Sequence, residues 1–595
     1  MGGWVDYGIS DIHISIFSDQ ERVFELKKFC NVTVKKINPS VVLATGSKQN
    51  LQEWKKYKEV LDESGITTGD IPWLDIRGNH DNFNIISIDS PENHYLNYSI
   101  QGQKKARSFI HQMTVRSTNY SFIAVDACMT PGPRRPFDFF GHLDKTEIQH
   151  ITKFIEKSKQ SKSDYNIWFG HFPTSCIITD DEKDVKQIIG KDEKSVAYLC
   201  GHLHTFAGLS PNMYTIQNEG YLEIEVSDWK EHRIFRLGVI DNGLFTFVDV
   251  KHDEWPIGII TNPKNALYHM KKKENIQSIV DSTHIRVLAF SLDPVVNVSI
   301  QINNGKWINC YKVGDDPLWV TEWNSSLYKI ATNSIRAKII DKMGRTKETE
   351  LQYFSLDGTQ PSFSFISTVI LNTETKTFVL ITIIFYAFMS IIIIVPLCIC
   401  KYLHGLCQKK QRDNPRIRRK WIRSCVRKIW LLSTLDFIFY PIIIYPIYLA
   451  IGPWIAGEII EDKYGVIYSW GIFVGHSFIP ASLSYFYGFL QLLTFYFPLV
   501  WILAHTVDKR YQSLHKLQRK KPKILLFIWR NLFFIILMIF HMYLIVILWI
   551  SYGTVATLLC PFLTWSTLMA VILWVYAHQV SISYIKCAGS VWTPS

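Results

Sequence analysis

From Phe378 to Cys400 almost every residue is apolar. That run is long enough to cross the hydrocarbon core of a bilayer, which takes about 20 residues of helix. Backbone polar groups in lipid must pair within the chain, so an isolated span of this kind is helical. Further candidates cover 430–451, part of 466–504, 529–550 and 554–578. Residues 378–580 are therefore expected to form an all-α multi-pass membrane domain with about five spans, followed by a C-terminal tail at 581–595. The stretch 466–504 has length to spare for a re-entrant or interfacial piece around Pro480.

The loops between these runs carry a topology signal. Residues 401–429 are basic, from Lys409-Lys410 to Arg418-Arg419-Lys420, and 508–523 are basic through Lys520-Lys521, whereas 452–465 hold Glu458, Glu461 and Asp462. Basic loops stay in the cytosol. Five crossings then put residues 1–377 on the lumenal or extracellular side of an endomembrane or the plasma membrane, with the tail in the cytosol. Sequons at Asn31, Asn97, Asn119, Asn297 and Asn324 are compatible with a lumenal glycoprotein. Met1-Gly2-Gly3-Trp4 opens no signal-peptide pattern, so translocation is expected to fall to the first span. Much of the formal charge of +12 lies in the two basic loops. It reports a membrane partner, and no nucleic acid is expected.

Residues 1–377 have mixed charges and read as soluble domains. Within 5–250, short apolar runs alternate with helical stretches such as Gln49–Leu61 and Lys145–Lys157. Val41–Thr45 ends in Gly46, Trp73–Ile76 in Arg77-Gly78-Asn79, and Ser121–Val125 in Asp126. Asn166–Phe169 ends in Gly170-His171, and Ala197–Cys200 in Gly201-His202. Polar residues at strand ends of a layered α/β domain are where sites are built. Residues 213–250 switch to period-two strands with a turn at Asp241-Asn242-Gly243. Strands near 285–290, 296–302, 318–323 and 335–340 point to a β-sandwich of immunoglobulin type over 256–360, and 361–377 to a polar linker. The 11 cysteines show no Cys-x-x-Cys metal pair and no disulfide framework.

The fragments that carry chemistry come in a fixed order: Asp11-Ile12-His13, Gly78-Asn79-His80-Asp81, Gly170-His171 and Gly201-His202-Leu203-His204. One such histidine means little; the ordered set, over residues 1–250, resembles the calcineurin-like metallophosphoesterases. The resemblance implies a four-layer α/β-β/α sandwich and two divalent metal ions (Mn, Fe or Zn). It makes Asp11, His13 and His204 ligands of one ion, and Asn79, His171 and His202 ligands of the other. His80 would protonate the leaving oxygen of an unknown phosphoester substrate, oriented by Asp81. Imidazole and carboxylate suit these metals, and an ion pair about 4 Å apart can hold a hydroxide and polarise a phosphoryl group.

One departure stands out. The family carries Gly-Asp after the second strand, and that aspartate bridges the ions; here Gly46 is followed by Ser47. Two unbridged dications at about 4 Å repel by something on the order of 15 kcal/mol at an effective dielectric near 20. Over nearly its whole length the chain also resembles the transmembrane protein 62 family, through Ser10–Ser15, Trp73–Ile76, Gly170-His171-Phe172 and Thr283–Phe290. That likeness implies a fuller form with a longer N-terminus and a membrane-targeting segment. This sequence is then expected to be an alternative form without that segment and the aspartate-bearing loop. Two functions stay open: a membrane-anchored phosphoesterase, impaired in this chain, or an inactive phosphoesterase fold serving as a membrane receptor or scaffold.

Overall fold

A computed structural model describes residues 3–592 except 11, 13–18, 47–49, 182, 205–207, 211, 228, 330–331, 481 and 515–523. The chain divides into two compact units, Met1–Gly132 with Asp138–Thr375, and Pro133–Phe137 with Lys376–Ser595.

In the first unit Val41–Thr45 is buried at every position, as an apolar run covered on both faces must be. It lies parallel between Gly3–Ser10 and Trp73–Ile76, with Leu43 opposite Gly8 on one side and Leu74 on the other. Ile234–Asp241 and Leu244–Lys251 complete a five-stranded sheet. They join through Asn242 (φ 49°) and Gly243 (φ 82°). Two successive positive φ values define the turn that matches strand twist, which is why Asn-Gly stands there.

A second sheet has six strands in the order Tyr214–Ile216, Leu222–Glu225, Ser195–Cys200, Tyr165–Gly170, Thr118–Val125 and Phe109–Val115. Val41, Leu43, Leu74 and Ile76 of the first sheet pack against Phe122, Phe169 and Leu199 of the second. The alternate residues Val42 and Ala44 face outward onto Leu26, Trp54, Tyr57 and Val60 of the helices Glu21–Lys28 and Leu51–Glu63. The helix Lys145–Gln160, capped by Asp144, buries Ile148, Ile151 and Ile155 at helical spacing. The layers therefore run helix, sheet, sheet, helix.

Ile257–Asn262 begins a sandwich of two further sheets, one built on His284–Phe290 and Leu318–Glu322, the other on Val295–Ile302 and Asn333–Asp341. Ile285, Val287, Val298, Ile300, Ile335 and Ile339 fill its core. The segment expected as a linker contains a helix, Phe365–Asn372. It is held rather than loose: Lys186 Nζ and Gln217 Nε2 both donate to Leu371 O, at 2.7 and 2.9 Å.

Among the described residues of the second unit, four helices are long and apolar enough to cross a membrane: Thr375–Gln408, Ser484–Ser513, Asn531–Leu558 and Pro561–Gln579. The pair Lys420–Ser433 and Asp436–Ile451, bent by 94°, makes a fifth if it is one span. Between the bent pair and the next span, where an interfacial piece was expected around Pro480, stands a four-stranded antiparallel sheet from Ile455 to Pro480. All 11 cysteines are free.

Candidate functional site

The strands Trp73–Ile76 and Thr118–Val125 belong to different sheets, and an ion pair ties their ends together. Arg77 Nε donates to Asp126 Oδ2 at 2.6 Å, with both side chains fully buried. Burial alone would pull the Arg77 pKa down; Asp126 beside it holds the guanidinium well above its usual value. Arg77 Nη1 also donates to Asn82 Oδ1 at 3.0 Å, so the pair fixes both ends of the turn that carries Asn79, His80 and Asp81. Cys128, next to the pair, is pushed far up by burial and then by Asp126. It is a neutral packing group, since only a thiolate is a nucleophile.

Asp81 Oδ2 accepts from Gly78 N at 2.7 Å and closes the turn on itself. Gly78 is required by close approach: a Cβ there would sit 2.8 Å from the His171 ring. His171, at the end of Tyr165–Gly170, is buried and its Nε2 lies 2.9 Å from Asn79 Oδ1. His202 follows on the next strand end, its ring centroid 5.2 Å from that of His171. The two loops are joined by Gly201 N donating to His171 O at 3.0 Å. His80 continues the turn, half-buried, with its ring 5.2 Å from Phe83.

His202 and His204 have φ of 83° and 54°. Left-handed backbone at two non-glycine residues costs about 1–3 kcal/mol each and concentrates at functional sites. The His204 N–H donates to the carboxylate of buried Glu225, which holds that loop down. Asp11, His13 and Ser47 lie outside the described residues. Ile12, between the first two, is buried, and its N–H donates to Gly46 O at 3.1 Å. Ile12 therefore lies beside the end of Val41–Thr45.

Asp138 and Phe139 carry no motif, yet both grip the site. Asp138 Oδ2 accepts from Asn79 Nδ2 at 2.8 Å, and Phe139 O faces His202 Nε2 at 2.8 Å. A carboxylate can accept only from the NH2 end of an amide. Asp138 thereby selects the rotamer that turns the Asn79 oxygen toward His171.

Among the described residues no cluster of three or more His, Cys, Asp or Glu is placed to hold a metal ion. A mixed donor pair does fit one. Two neighbouring ligands at right angles, each about 2.1 Å from an ion, stand about 3 Å apart. Asn79 Oδ1 and His171 Nε2 stand 2.9 Å apart, here as a hydrogen bond in which the amide oxygen accepts from the ring N–H; an ion would take the place of that proton.

Residues 7–206 match the family of calcineurin-like phosphoesterases, 252–360 the TMEM62 Ig-like domain and 381–525 the TMEM62 C-terminal domain. A metallophosphoesterase from Arabidopsis thaliana, provisionally named as such, is 25% identical, covering 76% of this chain and 71% of its own. A solved Staphylococcus aureus structure, provisionally named a 5'-nucleotidase, aligns with a TM-score of 0.29 at 10% identity, over 42% of this chain and 55% of that one, and carries no argument. Mouse transmembrane protein 62 is 35% identical, covering 95% of this chain and 87% of its own. With a calcineurin-like phosphoesterase domain, an Ig-like domain and membrane-crossing helices in that order, the chain belongs to the transmembrane protein 62 family.

Proposed function

We propose that the chain is a membrane-anchored phosphoesterase of the dinuclear-metal type whose hydrolysis is weak. The observation that carries this reading is the Asn79–His171 donor pair, spaced for one ion and set by Asp138. In this reading Asn79, His171 and His202 hold one ion, and Asp11, His13 and His204 hold the other. Bound divalent ions would supply charge on the phosphoryl oxygens and a hydroxide at neutral pH. His80 gives a proton to the leaving oxygen. Asp81, accepting from Gly78 N, keeps His80 and Asn79 in one rigid turn.

Weakness follows from charge. With Ser47 where the family has its bridging aspartate, Asp11 is the sole carboxylate in the proposed ligand set. Asp138 adds a second negative charge one bond network away, which eases one ion of the pair but does not bridge two. The alternative, an inactive fold used as a receptor or scaffold, draws on the same missing carboxylate.

Elemental analysis of the purified chain decides between them, run beside turnover of a generic aryl phosphate ester and a His80→Ala control. One ion or fewer per chain, with slow turnover that His80→Ala abolishes, is the expected result; turnover no higher than the control would favour the inactive fold. Restoring a longer loop with aspartate after Gly46 should recover two ions and activity. Two ions and His80-dependent turnover in the unaltered chain would overturn the reading.

A further inference from the structure

The second unit holds a cavity of about 770 Å³ between the helices Phe497–Leu514 and Ile524–Leu558. Phe495 stacks on His541 with ring centroids 3.7 Å apart, which sets the antiparallel register of the two helical segments. Ten residues along each from that contact are His505 and Asn531, and both line the cavity. The cavity thus has two unlike ends. One holds Lys428, His505, Lys509 and Asn531; the other is walled by Pro498, Leu537 and Phe540.

The polar end is cationic. Lys428 Nζ lies 4.8 Å from the centre of the Trp501 ring, which holds its charge at the wall. No carboxylate lines the cavity among the described residues. The nearest in sequence, Asp508, is taken by Arg427 at 2.7 Å in a buried pair. The apolar side opens outward: Phe533, Ile536 and Phe540 are 79%, 53% and 43% exposed, on a helix apolar enough to cross a membrane. Lys428 belongs to the basic stretch 401–429 and Lys509 to 508–523, so the charged end sits at the membrane face those stretches share.

We infer that this cavity binds one anionic phospholipid, drawn from the leaflet that meets the basic loops. Lys428 and Lys509 would take its phosphate, and the acyl chains would lie along Leu537 and Phe540. Basic pockets between transmembrane helices hold anionic headgroups in this way, because charge and apolar area are satisfied by one molecule. A zwitterionic lipid would bring its own cation to two lysines. Free phosphate would leave the carbon-lined length unfilled.

The test uses the full chain in nanodiscs of phosphatidylcholine with an anionic phospholipid, followed by native mass spectrometry. One anionic lipid should stay bound per chain under conditions that strip phosphatidylcholine. The double variant Lys428→Gln, Lys509→Gln should lower that occupancy about tenfold or more. The double variant Lys409→Gln, Lys410→Gln removes equal charge from the loop outside the cavity and should retain the lipid. Equal loss in both variants would mean diffuse surface attraction and overturn the site. Displacement by excess inorganic phosphate would overturn the lipid as occupant. If the cavity variant fails to fold, headgroup preference on the unaltered protein still decides: equal retention of zwitterionic and anionic lipid would sink the proposal.

Discussion

Asp75 is a carboxylate sealed inside the first sheet, at 4% exposure, and it accepts from Ile100 N, Gln101 N and Tyr57 OH at 2.9, 2.7 and 3.2 Å. Burial raises its pKa to about 6, against the three hydrogen bonds that lower it. A folded-state pKa above the unfolded one favours the protonated form. Its contribution is complete below about pH 4 and is lost as pH rises through about 6, a swing on the order of 3 kcal/mol. The melting midpoint of the unaltered chain, less that of Asp75→Asn, should therefore fall between pH 4 and 7. A flat difference would mean that the hydrogen bonds outweigh burial. At Asp138 the prediction concerns metal rather than stability. Asp138→Asn removes the acceptor that fixes the Asn79 amide and removes a charge. Metal affinity should drop by about 10–100-fold, as for other residues that orient a ligand, read by competitive chelation with folding checked by circular dichroism.

At the scale of elements, Val41–Thr45 is the strand beside the altered loop, and its burial on both faces makes it the most committed piece of the first sheet. Its amides should exchange as slowly as those of Tyr165–Gly170 and far more slowly than those of 129–140. Leu43→Ala should cost about 2–5 kcal/mol, the usual range for a buried leucine, in denaturant unfolding. This strand was legible because its apolar run is short, bounded by Ser40 and Gly46, and β-branched. The helix Lys145–Gln160 was legible from its period, and the Asp241–Gly243 turn from its residue types. The sheet from Ile455 to Pro480 was not. Its strand Gly471–Val474 is an apolar run beside a span, which hydropathy cannot separate from the edge of that span, and Ile455–Ile460 carries Glu458 within a stretch that reads as an acidic loop. Turn signals were present, at Asp462 (φ 58°) and Gly475 (φ 57°). Of the candidate site, the ordered histidines and Asn79 could be read from motif order. Asp138 could not, because only the fold brings it to Asn79, 59 residues earlier.

For the whole molecule the question is how often the chain crosses the membrane, since four crossings and five place the tail on opposite sides. The second unit has two ends that can be told apart by their contacts. At one, Arg427 pairs with Asp508, and Arg510 Nη2 donates to Val580 O at 2.6 Å. At the other, Trp454 stacks on Phe562 with centroids 4.5 Å apart, and Ala456 N donates to Leu559 O at 3.1 Å. The helix Asp436–Ile451 runs from the first end, just past Arg427, to the second, just before Trp454. We predict that it crosses, while Lys420–Ser433, basic on one side and bent from it by 94°, suits the membrane surface. Five crossings are then predicted, with Arg427 and Asp508, one from each basic loop, at the same end. By the charge rule that end is cytosolic, so residues 1–377 should be lumenal or extracellular and Ser595 cytosolic. Surface access sharpens the test. Asn97 and Asn324 are exposed, whereas Asn31 donates to Ser64 Oγ at 3.1 Å and Asn119 and Asn297 are half-buried. Glycans are expected on Asn97 and Asn324, seen as endoglycosidase-sensitive mass that Asn97→Gln and Asn324→Gln abolish together. A tag after Ser595 should meanwhile be cleaved by protease added outside sealed microsomes, with residues 256–360 protected. Protection of the tag together with residues 256–360 would favour four crossings, and cleavage within 256–360 would place that domain in the cytosol and reverse the orientation.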